Sequence, residues 1–279
     1  MVRLPEDLTL PDGFVLPERP DPPATPKDAA TVVLLRDGDR GPEVFLQRRV
    51  EGMPFAGGMT VFPGGGVDRR DADASVTWSG PPPRWWAERF ECSEDTARAL
   101  VCAAVRETFE ESGVLLAGPD ADSVVDDTRP YADARPKLES RELSLAGFLA
   151  DAGLVLRADL LRPWANWVTP EEEPRRYDTR FFLAAMPEGQ RADGVTSEAS
   201  RAYWSTPEDA LEDWRQQRCG LLPPTWVTLS EVGACGSVAA ALDVQRPLGK
   251  VLPQLEHRDG AWRVVLPGDL GYRGEEEGR

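Results

Sequence analysis

The sequence predicts an α+β protein in which helices pack on a mixed β-sheet. Three observations carry that reading. The β-branched run ATVVLL at residues 30–35 reads as a buried strand with a hairpin partner after it. Residues 93–112 read as a capped helix with one apolar stripe. Strand and helix signals then alternate irregularly, with no internal repeat, which suits a mixed sheet better than a βαβ series.

The elements follow in order. Residues 1–27 hold Pro17, Pro20, Pro22, Pro23 and Pro26 among acids and read as an extended leader. After the first strand, Asp37-Gly38 and Gly41-Pro42 mark a turn, and residues 43–49 return as the hairpin partner. Residues 57–66 are glycine-rich and hold a short strand and a tight loop. Residues 67–92, with Asp/Arg runs, Pro81-Pro-Pro83 and Trp85-Trp86, read as an inserted loop. Ser93 then caps a helix whose first turn carries Glu94 and Asp95 and whose stop is Gly113. Beyond it the patterns predict a helix over 141–152, a strand over 180–186 and helices over 207–218 and 229–241. A final strand is expected over 262–266.

Charge and residue counts exclude several chemistries. A formal net charge of −16 argues against a nucleic-acid polymer surface, which needs a basic stripe. A small anionic substrate stays open, because a bound cation inverts the local field. The single histidine, His257, sits in a polar stretch and reads as a surface residue, so Ser-His-Asp, Cys-His and HExxH mechanisms lack material. Cys92, Cys102, Cys219 and Cys235 form no CxxC pair; Cys102 reads as a buried thiol, and a reduced, cytoplasmic setting is expected. The N-terminal residues lack a signal-peptide core, and no run has the length of a membrane span.

The chemistry must come from carboxylates, arginines, backbone groups and a metal. On a wheel of about 100° per residue, Val101, Cys102, Val105 and Phe109 cluster on one side of the helix, while Glu107, Glu110 and Glu111 share the opposite side. Carboxylates at i, i+3 and i+4 repel one another, and those in the last turn also face the negative end of the macrodipole. A divalent, oxygen-seeking cation removes both penalties. The alternative for such a cluster alone is a solvated acidic face.

The surroundings decide between them. Arg106-Glu-Thr-Phe-Glu-Glu-Ser-Gly-Val114 resembles the second half of the Nudix box, G-x5-E-x7-R-E-U-x-E-E-x-G-U with U aliphatic, and Val61-Phe-Pro-Gly-Gly65 resembles its opening. About 27 extra residues separate the two halves, as counted from Gly65 to Arg106. Counted back from Arg106, the first glutamate of the box falls on Arg98; the partner of Arg106 is then open, with Asp68 a candidate. An interrupted box of this kind resembles the coenzyme A diphosphatase branch. So do Phe45-Leu-Gln-Arg-Arg49, Met53-Pro-Phe55, Trp167-Val-Thr-Pro170, Arg176-Tyr-Asp-Thr-Arg-Phe-Phe182 and Leu222-Pro-Pro-Thr-Trp226. One departure is Pro54, where that branch carries an arginine.

The resemblance implies an α/β/α sandwich, with a hydrolase domain over 28–230, an insertion at 67–92 and a C-terminal extension over 231–279. It implies Glu107, Glu110 and Glu111 as ligands of Mg²⁺ or Mn²⁺, Arg106 among the catalytic groups, and hydrolysis of a nucleotide-containing diphosphate such as coenzyme A. An ADP-ribose or NADH pyrophosphatase and an inactive Nudix-fold sensor are the alternatives, and a homodimer is a candidate assembly. Glu198, six residues before Trp204, is a candidate base, with Glu171, Glu172 and Glu173 as competitors. Arg48, Arg49, Gly64, Gly65 and Gly66 are candidate substrate contacts. Trp85, Trp86, Trp164 and Trp167 read as packing residues rather than base-stacking ones.

Overall fold

The computed structural model describes residues 4–5, 20–53, 56–258, 261–269 and 272. Most of the leader, together with Pro54 and Phe55, lies outside the described residues.

Strand β1 (Lys27–Gly38) turns directly into its antiparallel partner β2 (Gly41–Arg49). Next, β3 (Met59–Val61) runs antiparallel to β2, and β4 (Gly64–Gly66) folds back antiparallel to β1. On its other edge β1 pairs in parallel with Tyr177–Ala185, which pairs antiparallel with Leu161–Val168. Ala199–Ser205 runs antiparallel to β2, while Lys250–Val251 and Gly220–Leu221 add short parallel pairings at the two sides. The sheet is mixed, as the irregular alternation predicts.

Period-2 alternation sorts its side chains into two cores. Ala30, Val32, Leu34, Phe45 and Phe182 face one side, and Val33, Leu35, Val44, Leu46, Phe181 and Leu183 face the other. The first core is closed by helices α1 (Pro83–Phe90) and α2 (Glu94–Ser112) and by Leu145–Ala152. The second is closed by Pro207–Arg215, Pro223–Cys235 and Val238–Asp243. A sheet with helices on both faces is the α/β/α sandwich.

Helix α2 begins and ends where its caps dictate. The Ser93 hydroxyl accepts from Thr96 N–H at 3.1 Å, and Gly113 closes the helix at φ 72°, donating its N–H to Phe109 O at 3.0 Å. Val101, Cys102, Val105 and Phe109 are fully buried, as the wheel predicts. The opposite face is not solvated either: Glu110 and Glu111 are 7 % and 4 % exposed, which rules out a plain acidic surface.

Two sequence readings need correction, and two strands were not foreseen. Residues 67–92 are not a loop but a folded insert with a 3-10 turn at Arg69–Ala72, a short strand at Trp78–Ser79 and α1. Its proline run starts a helix, because Pro83 at the first helical position loses no hydrogen bond. Trp86 and Phe90 then enter the first core against Phe182. The helix expected over 229–241 starts at Pro223 and is broken by Gly236 at φ 76° into two. Strand Leu161–Val168 escaped notice because Pro163 interrupts its pattern, where the register shifts. Ala199–Ser205 escaped because its first residues are polar and partly exposed.

Trp164 and Trp167 lie in the second core, and Trp85 lies under the Arg89 guanidinium at 4.7 Å. His257 is exposed, as expected. Burial pushes the Cys102 thiol up to about 12, and all four cysteines are free. Among the described residues no helix is long and apolar enough to cross a membrane.

Candidate active site

The glycine turn and the box helix meet at side-chain distance. A Cβ on Gly65 would sit 2.6 Å from Glu107 Oε1, and one on Gly64 would sit 2.5 Å from Ala30 O. Only glycine admits this approach of strand β4 to both β1 and α2. In return Gly64 N–H donates to Glu111 Oε2 at 3.0 Å, and Gly66 O accepts from Arg106 Nη2 at 3.0 Å.

Arg106 is the hub of the site. Its Nε and Nη2 grip Asp71, at 3.0 Å to Oδ1 and 2.9 Å to Oδ2, while Nη1 reaches Glu107 Oε1 at 2.7 Å and Glu110 Oε1 at 3.2 Å. Burial works against the guanidinium charge, but Glu107, Asp71 and Glu110 outweigh it and hold Arg106 well above its ordinary range.

Asp71, not Asp68, is therefore the partner of Arg106. Asp68 caps the 3-10 turn instead: its Oδ1 accepts from Arg70 N–H at 2.9 Å, and its own N–H donates to Asp71 Oδ2 at 2.8 Å. Hydrogen bonding to Arg70 leads the pull that holds the Asp68 carboxyl down at about 2. Counting forward from Gly65 instead of back from Arg106 would have found the partner, because Asp71 stands six positions after Gly65, where the box has its first acid. The insertion follows Asp71, and Arg98 is not a box position; its guanidinium lies 5.8 Å from the Trp78 ring.

The three glutamates divide in role. Glu110 turns onto Arg106, Glu107 meets both Arg106 and the glycine turn, and Glu111 meets the glycine turn. Burial and then Glu107 raise the Glu110 carboxyl to about 7. Burial likewise raises Glu107, against the pull of Arg106, and it raises Glu111 strongly, aided by Glu107 and opposed by Gly64 N–H.

Glu198 is the distal carboxylate that the structure brings near: its charge acts on both Glu107 and Glu111, and Arg49 Nη2 binds it at 2.9 Å. Glu171, Glu172 and Glu173 are not among the charges acting most strongly on either. Arg48 does not join the site. Phe45, two residues before Gln47 and four before Arg49, faces the first core, whereas Val44 and Leu46 face the second, and Arg48 continues that second set. Gln47 was missed in the sequence; its Nε2 donates to Glu111 O at 2.9 Å and holds the end of α2 to the sheet.

Among the described residues no three His, Cys, Asp or Glu side chains are gathered on one point as a metal-ligand set, because Arg106 draws Glu107 and Glu110 toward itself. The donor chemistry nevertheless fits a hard divalent cation. Among the described residues Asp71, Glu107 and Glu110 meet the one guanidinium of Arg106, Glu198 meets Arg49 and Glu111 meets Gly64 N–H, so carboxylate oxygens outnumber the cations beside them, an excess that such an ion would balance.

Comparison with known proteins agrees with this geometry. The family model described as the NUDT19 Nudix domain matches residues 87–232. The acyl-coenzyme A diphosphatase NUDT19 of Xenopus laevis is 25 % identical over 227 residues, covering 68 % of this chain and 59 % of that protein. The Homo sapiens protein of the same name is 27 % identical over 311 residues, covering 95 % and 79 %. The chain thus spans about 59 % of the length of its Xenopus relative. Among solved structures, a Nudix hydrolase from Alicyclobacillus acidocaldarius superposes with a TM-score of 0.69 at 28 % identity, covering 81 % of this chain and 99 % of the other.

Proposed function

This chain belongs to the Nudix hydrolases, in the family of the NUDT19 Nudix domain, and from that premise we propose that it cleaves the diphosphate of coenzyme A or an acyl-CoA. The products are 3′,5′-ADP and phosphopantetheine or its acyl form. The observation that carries the reading is the pair of a buried Glu111 and a half-buried Glu107 on one helix, both aimed at the glycine turn Gly64–Gly66. The names of the Xenopus and human relatives support the substrate. In the same reading the hydrolase unit begins at residue 28 and runs past the expected boundary at 230, because the helix Pro223–Cys235 crosses it.

Glu107, Glu110 and Glu111 would hold Mg²⁺ or Mn²⁺, which neutralises charge on the diphosphate and acidifies water. The remaining work falls to the chain. Arg106, fixed by Asp71 and Gly66 O, orients Glu107 and Glu110. Glu198 accepts the proton of the attacking water, and Arg49 Nη2, bound to it at 2.9 Å, holds its carboxylate in place. Arg49 has a buried Nε with no hydrogen-bond partner among the described residues, a donor left over for a phosphate oxygen.

The test is hydrolysis of coenzyme A, acetyl-CoA, ADP-ribose and NADH with Mg²⁺ or Mn²⁺, with products identified by mass. Release of 3′,5′-ADP from the CoA compounds, abolished by EDTA and by Glu111→Gln, is the expected result. Turnover of ADP-ribose or NADH alone would replace the substrate. Tight binding without turnover would make the protein a sensor.

A further inference from the structure

Residues 193–198 carry Glu198 to the site, and a single guanidinium ties that strap to the end of the box helix. Arg135 opens the short helix Arg135–Glu139, with its side chain 12 % exposed. It grips Asp193 with both nitrogens, Nη1 to Oδ2 at 2.8 Å and Nη2 to Oδ1 at 2.9 Å. The same Nη2 reaches Glu110 O at 3.2 Å and Val195 O at 3.0 Å. Asp193 adds a backbone bond, its N–H donating to Ser112 O at 2.8 Å.

The box glycine makes room for this contact. A Cβ on Gly113 would lie 2.9 Å from Arg135 Nη1 and 3.0 Å from Asp193 Oδ2. Gly113 therefore has a second reason to be glycine besides its left-handed φ of 72°. The carbonyl of Glu110 is one of the last-turn acceptors that a helix leaves unpaired, so a cation is favoured there. The other end of the strap is anchored as well: Ser197 Oγ bonds Glu139, and Glu198 O accepts from Val50 N–H at 3.0 Å.

We propose that Arg135 and Asp193 are positioning residues that fix Glu198 in register with Glu107 and Glu111. This rests on the reading of Glu198 as proton acceptor given above. Neither residue touches the reacting atoms. Both bind the strap to the last turn of α2, so the distance between the proton acceptor and the helix carboxylates is set at a contact outside the chemistry. A displacement of about 1 Å at such a group lowers turnover by up to about a hundredfold.

The experiment is a double-mutant cycle on coenzyme A hydrolysis in Mn²⁺, using the full chain. Arg135→Ala is expected to lower kcat by at least about tenfold with KM within about twofold, and Arg135→Lys to recover part of the loss. In a Glu198→Gln background Arg135→Ala is expected to add less than about a twofold loss, because the group it positions is already disabled. Equal losses in both backgrounds would overturn the proposal. A fully active Glu198→Gln would overturn it too, leaving the diphosphatase reading standing as long as Glu111→Gln is dead. If Arg135→Ala does not fold, Asp193→Asn removes the ion pair at constant size and takes its place in the cycle. An inert wild-type enzyme would instead sink the functional reading itself.

Discussion

Asp71 and Arg106 stand 35 positions apart in the chain, and their side chains meet at 2.9 Å in the buried centre of the site. The insert thus lies between two halves of one ion pair. The guanidinium also holds Glu107 and Glu110, so losing its acid partner disturbs both.

Asp71→Ala should therefore destabilise the protein by about 3–5 kcal/mol, the usual consequence of stranding a buried charge. Asp68→Ala should cost only about 1 kcal/mol, the worth of a capping side chain. Urea unfolding of both variants checks the ranking. A reversal would return Asp68 to the role the sequence reading gave it.

Much of this site was legible in the sequence because its residues are local to one helix and one turn. Ser93, Gly113 and the apolar stripe of α2 sit where capping and period place them. What escaped was long-range. Counting back from Arg106 put the first acid of the box on Arg98, the candidate Asp68 missed the partner by three positions, and no helical pattern reports a contact across 35 positions. Gln47 escaped because an amide in a strand carries no signal of the carbonyl it will meet.

The insert should behave as core rather than decoration. Trp86 is fully buried, packs against Phe90 and Phe182, and donates its Nε1–H to Pro81 O at 3.1 Å. Trp86→Ala should cost about 3–5 kcal/mol. A loss below 1 kcal/mol in chemical unfolding, on the order of an exposed residue, would mean that α1 does not pack on the sheet in solution.

Without divalent cations, stability should fall as pH rises. The Glu110 carboxyl is lifted to about 7 in the fold, chiefly by burial and then by Glu107. A raised folded value means the native state holds the proton more tightly than the unfolded chain. This contribution is complete below the unfolded value of about 4.5 and is lost as pH rises through about 7. In EDTA, Tm should decline between pH 5 and 8 by less in Glu110→Gln than in the wild type, on the order of a few degrees. Identical slopes would show that Glu110 titrates normally.

Arg48 and Arg49 are neighbours that the sequence cannot separate, but the pleat does. Arg49 lies on the face of Phe45 and Gln47, binds Glu198 and favours the charged form of Glu111. Arg48 continues the opposite face, where its charge acts on the Cys219 thiol. Arg49→Ala should lower kcat/KM at least about tenfold, the equivalent of one charge-assisted hydrogen bond. Arg48→Ala should stay within about twofold of the wild type, as an exposed side chain remote from the carboxylates. Steady-state kinetics on coenzyme A with saturating Mn²⁺ distinguishes them. If both variants lose activity equally, then substrate reaches both faces of β2, and the site extends past the sheet edge into the second core.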